Sequence, residues 1–287
     1  MDAMSPPPDY YETPPMTPVF PRLLSGSLLP LSLLALSVLM TPAAHAHADD
    51  ASSASPPAAL TITSSVTLAS QYVSRGMRQS WGRPALQAGV DAVHASGWSA
   101  GTWASTVSDR FIEGARIEWD LYGGYTGSIG PVGVSLMAVH YRYPGARLGG
   151  VSYDYTELVP GLSYGPFYAK YARTVSRDFF GITGARGTGY LDIGANHDLG
   201  GGYTLNLHLG DGRVAGQGNA LWDWRDIKAG ATRSFDGGWS LAGAWTRARG
   251  GSDAYDRYTT GVPRRGGALA FSNPAKGTFV VSLARTF

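Results

Sequence analysis

From Leu60 to Phe287 the chain changes character at every second residue, in segments of about ten. The last segment shows it most plainly. In TFVVSLARTF, Phe279, Val281, Leu283, Arg285 and Phe287 share one face, and Thr278, Val280, Ser282, Ala284 and Thr286 share the other. A two-residue period marks a strand, because successive side chains point to opposite faces. The same alternation sets Tyr203, Leu205, Leu207 and Leu209 against Thr204, Asn206 and His208. It sets Ile117, Trp119 and Leu121 against Arg116, Glu118, Asp120 and Tyr122, and Leu191, Ile193 and Ala195 against Asp192 and Asn196. About ten residues is the length of a tilted strand crossing a bilayer. No segment beyond the first 48 residues is apolar for the length a membrane helix needs. If the mature chain enters a membrane, it must therefore close into a barrel, since an open sheet edge has no partner in lipid.

The connections carry a second period. Short turns at 96–97, 127–131, 165–166, 200–202 and 235–238 alternate with longer polar stretches at 78–83, 109–114, 144–151, 177–188, 211–222 and 249–276. This order predicts an all-β fold, a transmembrane antiparallel up-and-down β-barrel of about 12 strands with short periplasmic turns and longer extracellular loops. The last strand is expected to pair with the first, with Phe287 at the periplasmic rim. Trp98, Tyr125, Tyr164, Phe167, Tyr203, Phe235 and Trp239 fall near the short turns. Tyr72, Tyr141, Tyr143, Tyr153, Tyr155, Trp222, Trp224 and Trp245 fall near the long loops. Two such clusters predict two interfacial aromatic girdles.

The N-terminal 48 residues read differently. Arg22 precedes the apolar run Leu23–Met40, and small residues then flank His45 and His47 in AHAHA. This is the pattern of a secretory signal peptide, residues 1–48, with a Pro-rich extension before a start at Met16. A membrane helix is the competing reading, weakened by Ser25, Gly26 and Pro30. Residues 49–59 form a Pro/Ser/Ala-rich flexible leader, and 60–287 the barrel. Location in the cell outer membrane follows. The chain has no cysteine, which excludes disulfides, thiolate metal sites and Cys nucleophiles.

Two resemblances sharpen these expectations. A terminal Phe after alternating apolar residues resembles the assembly signature of Gram-negative outer-membrane barrels, although Arg285 departs from it. The resemblance implies engagement of the barrel-assembly machinery through the strand ending in Phe287. The stretch SQYVSRGMRQSWGRPALQAGVDAVHASGWSAGTWAS, residues 70–105, resembles the opening of the TorF family of porin-type proteins. Tyr72, Arg75, Gly76, Pro84, Ala85 and Trp103 carry that likeness, and IEWDLYGGYTG and HYRYPGA extend it. It implies an outer-membrane β-barrel of a family with no established substrate.

If apolar faces meet lipid, the alternate face lines the lumen. Arg75, Asp91, Arg116, Glu118, Asp120, Lys170, Asp192, Asp226 and Lys228 are the charged candidates, accompanied by Gln71, Gln87, Asn196 and His208. They suit either a narrow water-filled pore whose charges set ion preference or a salt-bridged plug. Arg78, Arg83, Arg147, Arg177, Arg186, Arg213, Arg264 and Arg265 fall in or beside the long loops. They suit a positive vestibule that draws anions, or contacts to lipopolysaccharide phosphates. The expected function is a porin-like channel for small hydrophilic solutes or ions, with anions favoured. The alternative is a non-conducting structural or adhesive barrel. No catalytic constellation is visible: there is no Gly-x-Ser-x-Gly elbow, and His140 stands alone near the outer end. No cofactor motif, clustered metal ligands or nucleic-acid module is visible either.

Overall fold

In the computed structural model, which describes residues 59–261, 263 and 266–287, twelve strands form one closed antiparallel barrel. They are β1 Leu60–Ala69, β2 Ala85–His94, β3 Trp98–Thr106, β4 Ile117–Ile129, β5 Val132–Arg142, β6 Tyr155–Tyr164, β7 Phe167–Thr174, β8 Gly189–Gly200, β9 Tyr203–Arg213, β10 Trp224–Ser234, β11 Trp239–Gly250 and β12 Thr278–Thr286. The expected signal peptide, nearly all of the leader, and Arg264 and Arg265 lie outside the described residues.

Each strand pairs with its sequence neighbours, and β1 closes the ring on β12. Ser65 faces Thr286 and Ala69 faces Ser282 in that seam. Past the end of β12, the Phe287 amide donates to the Ser64 carbonyl (2.8 Å) and the Ser64 amide to the Phe287 carbonyl (3.3 Å). The other edge of β1 is taken by β2, from Leu60 opposite His94 to Ala69 opposite Ala85. The short connections gather at one rim with both barrel ends, as the alternation predicted. The six long connections gather at the other.

The strand period decides which side chains meet which medium. Leu68, Leu86, Leu136, Leu162, Leu207, Leu209 and Leu283 all point outward and are exposed. An apolar band running round the molecule has no stable form in water and is suited to lipid tails. At the short-turn rim, Trp98, Tyr125, Tyr164, Phe167, Tyr203, Phe235 and Trp239 are exposed and form the expected girdle. Arg285 belongs to it: its guanidinium lies over the rings of Trp239 (5.3 Å) and Phe287 (4.6 Å). A cation over two rings at the rim suits the boundary between apolar and polar layers.

The second girdle is not where the sequence placed it. Tyr72, Tyr141, Tyr143, Tyr153, Tyr155 and Trp224 are all buried, and Trp222 is half-buried; of that set Trp245 faces outward. The cause is register. Tyr141 shares the inward face of β5 with Met137 and Val139, and stacks on Tyr155 of β6 with ring centroids 4.4 Å apart. Tyr72, Tyr143 and Tyr153 sit on loops that turn inward.

The outward–inward division generates a test. Leu207→Arg places a charge at the middle of the outward face of β9 and should cost about 2–4 kcal/mol of stability in lipid vesicles. Equilibrium unfolding of the refolded barrel measures it. A cost no larger than that of Asn206→Arg, on the inward face, would contradict the assignment of faces.

Candidate functional site

The stretch SQYVSRGMRQSWGRP, residues 70–84, leaves β1 and folds back into the barrel. Val73 and Ser74 pair with Met77 and Arg78 to make a miniature hairpin. Its tip is Arg75–Gly76, with φ of 48° and 76°. Two successive left-handed residues make a type I′ turn, a geometry that Asn-Gly usually fills. Arginine is strained there, and its contacts explain why it is tolerated.

The Arg75 guanidinium makes a two-pronged pair with Glu157 of β6, Nη1 to Oε1 at 3.0 Å and Nη2 to Oε2 at 2.5 Å. It also donates to the Tyr141 hydroxyl (3.3 Å) and lies over the Tyr190 ring, 4.6 Å from its centroid. The backbone carbonyl of Arg75 accepts from Trp224 Nε1 (3.0 Å), and Trp224 stacks on Tyr190. Gly76 presses against the wall of β10 and β11. A Cβ on it would stand 2.5 Å from Asp226 Cβ and 2.7 Å from Ala248 Cβ. The hairpin thus starts from β1, reaches β6 and β8 across the lumen with Arg75, and rests on β10 and β11 with Gly76.

Its base is equally tied down. Gln71 donates to the Thr278 hydroxyl (2.6 Å) and accepts from Arg78 Nε (3.1 Å). Tyr72 donates to Glu118 (3.2 Å) and meets Trp103 edge-on. Burial lowers the pKa of the Arg78 guanidinium.

The remaining long loops pack together over this hairpin. Phe180 touches the rings of Phe111, Tyr143 and Tyr153, and Tyr258 those of Trp81, Phe111 and Trp222. Burial pushes the Tyr258 hydroxyl above its ordinary range, so it stays neutral and donates to the Phe111 carbonyl (3.0 Å).

Beneath the hairpin lies a cavity of about 180 Å³. Its charged lining is Arg75, Lys170, Lys228, His208, Asp192 and Asp226, with Gln87, Ser135, Asn206, Thr232 and Ser282 among the small polar groups. His208 bridges two carboxylates, Nδ1 to Asp192 (2.8 Å) and Nε2 to Asp226 (2.7 Å), while the Tyr190 hydroxyl donates to Asp226 (2.9 Å). Gly210 leaves room for this cluster, since a Cβ there would stand 2.3 Å from both the Tyr190 hydroxyl and Asp226 Oδ2.

A second set of carboxylates is absent from that lining. Glu118, Asp120 and Glu157 are fully buried at the level of the hairpin. Both Asp120 oxygens and one of Glu118 have no hydrogen-bond partner among the described residues. Arg75 is the cation whose field all three feel.

The other sequence candidates divide. Asp91 of β2 accepts from the Tyr122 hydroxyl (2.7 Å). Arg116 is exposed, in the loop just before β4. Arg83, Arg147, Arg177, Arg186 and Arg213 are exposed at the long-loop rim, whereas Arg78 is buried. Of the motif residues, Pro84 is exposed and closes the inserted loop, and buried Ala85 opens β2. Outside the lumen, His140 meets the Thr156 hydroxyl (2.9 Å). Sequence reading missed Glu157, Tyr141 and Tyr190 as partners of Arg75. Glu157 carried one signal, the alternation of Tyr155, Glu157 and Val159 against Thr156 and Leu158.

A family model described as "Bacterial protein of unknown function (Gcw_chp)" matches residues 51–287, and the chain belongs to that family. No curated protein matches it in sequence. Among solved structures it is similar to the KdgM porin, with 6% identity over 78% of this chain and 99% of that one and a TM-score of 0.49. It is similar to the NanC porin at 9% identity, 78% and 97% coverage and a TM-score of 0.46. An anion-selective porin from Comamonas acidovorans overlays at 12% identity, 79% and 99% coverage and a TM-score of 0.39.

The hairpin's fit depends on the glycine at its tip. Gly76→Val should expel the hairpin, through a left-handed conformation that costs roughly 1–3 kcal/mol and a collision with β10 and β11. Hydrogen exchange should show amides 73–78 losing protection while the barrel strands keep theirs. Unchanged protection of those amides would show that the hairpin does not rest on β10 and β11.

Proposed function

We propose that this chain, as a member of the Gcw_chp family, is a narrow porin-like channel of the bacterial outer membrane that passes small hydrophilic solutes or ions and favours anions. The observation that carries this reading is the charge on the cavity wall. Two lysines, Lys170 and Lys228, face it together with two carboxylates, Asp192 and Asp226, that His208 already bridges, while Arg75 reaches it with its charge held by Glu157. Glu118, Asp120 and Glu157 are withdrawn behind the hairpin and do not line it. Charge fixed on the wall of a narrow, low-dielectric passage sets which ions enter. The exposed arginines of the outer loops favour the same sign. The likeness of residues 70–105 to the TorF family supports a channel, and export and assembly through the strand ending at Phe287 belong to the same reading.

A second reading, a non-conducting barrel, draws on a specific observation too. The hairpin and the aromatic cluster over it obstruct the outer half of the lumen. The two readings separate on one variant. Glu157→Gln removes one partner of the Arg75 pair, and breaking a buried pair costs roughly 3–5 kcal/mol.

Planar-bilayer recording of the refolded barrel under a salt gradient tests both. The parent should show small ohmic steps with a reversal potential favouring anions. Glu157→Gln should conduct more, and Lys170→Gln with Lys228→Gln should move the reversal potential toward cations. A cation-favouring parent would sink the anion preference. Silence from folded parent and folded Glu157→Gln alike would leave the non-conducting barrel as the function.

A further inference from the structure

The outer wall of β9, β10 and β11 changes chemistry abruptly with height. Leu207, Ala229 and Trp245 lie side by side on one level of the outward face. One two-residue step toward the long loops come Leu209, Ile227 and Arg247, and a further step brings Asp211, Arg225 and Arg249. Arg213 follows on β9. A step is roughly 5 Å along the axis of a tilted strand. Arg247 therefore stands one step above that mid-strand apolar level, and Arg225, Arg249 and Arg213 stand one to two steps above Arg247, toward the rim where the headgroups of a bilayer leaflet lie.

The patch has more cations than acids. Asp211 holds Arg213 through Nε (2.6 Å) and Nη2 (2.9 Å) and Arg225 through Nε (2.7 Å), and Asp223 reaches Arg213 at 3.4 Å. Arg247 and Arg249 are exposed and have no acidic partner among the described residues. The opposite rim is built otherwise. There Arg233 lies over Tyr203 and Phe235 and donates to the Tyr203 hydroxyl, and Arg285 lies over Trp239 and Phe287. Those cations are covered by rings, whereas Arg247 and Arg249 present open forks.

Planar guanidinium forks match phosphate oxygens two at a time. We propose that Arg247, Arg249, Arg225 and Arg213 form a binding site for a lipid headgroup carrying phosphomonoesters, seated in the leaflet on the long-loop side. The height of Arg247 selects a lipid over a soluble phosphate. It stands level with Leu209 and Ile227, so its anion must come from a molecule whose tail lies against Leu207 and Trp245.

Native mass spectrometry of the full folded chain from mixed micelles tests the site. Phosphatidic acid serves as the phosphomonoester probe, phosphatidylcholine as the zwitterionic control and inorganic phosphate as the soluble competitor. Phosphatidic acid should be retained about tenfold more tightly than phosphatidylcholine, the scale of one charge-assisted hydrogen bond. Arg247→Gln with Arg249→Gln should remove that preference, and Arg233→Gln with Arg285→Gln should not. Asp211→Asn, which frees two further forks, should raise the affinity. Equal retention of the two lipids overturns the proposal, as does full competition by inorganic phosphate or a preference indifferent to Arg247 and Arg249. If the double glutamine variant fails to fold, an Asp211→Asn affinity at or below the parent's overturns it by itself.

Discussion

The pairing of the first strand with the last is the constraint on which everything else rests. A β-sheet in hydrocarbon cannot leave an edge, because each unpaired amide or carbonyl there costs several kcal/mol. The seam from Ser65–Thr286 to Ala69–Ser282, extended by the Ser64–Phe287 pair, removes the edge. With every connection running between neighbours, closure puts the short turns and both barrel ends on one rim and the long loops on the other. The strand period then sends Leu68, Leu207 and Leu283 to the outside and Gln87, Asn206 and Asp226 to the inside.

Closure also creates a problem that the 70–84 hairpin resolves. Twelve strands enclose more space than their own inward side chains fill, and those side chains include buried carboxylates. Glu118, Asp120 and Glu157 would stand in a low-dielectric wall without a counter-charge. Arg75 supplies it from the tip of the inserted hairpin, and its own strained backbone is held by the Glu157 fork, the Tyr190 face and Trp224. The same insertion narrows the lumen and leaves Lys170 and Lys228 as the cations of the wall below. The narrowing of the lumen and the charge left on the wall below it are thus two results of one placement.

Much of this was legible in the residues. Alternation located the strands, the short–long order of the turns gave a closed barrel, and parity alone put Lys170, Asp192, Asp226 and Lys228 on the same side of their strands as Asn206 and His208. The aromatic residues were harder. Tyr141 and Trp245 were both expected near the long loops, yet Tyr141 is buried and Trp245, at mid-strand, faces outward, because inward or outward follows from register and not from nearness to a loop. Arg78, read as a loop cation, is buried against Gln71 because its loop turns inward. Glu157 went unremarked, since nothing within its own segment refers to a residue 82 positions earlier.

What the sequence determined by itself is what short-range physics can encode: strand length, the two faces of each strand, and turns too short for anything but antiparallel neighbours. The Tyr72–Arg75–Gly76 motif was visible as a string, but its task was not. A left-handed Arg-Gly tip forms a hairpin locally, while the direction in which that hairpin folds depends on a carboxylate, two rings and an indole from β5, β6, β8 and β10. Those groups meet only after the barrel has closed around them, so only the tertiary structure decided that this loop lies in the lumen.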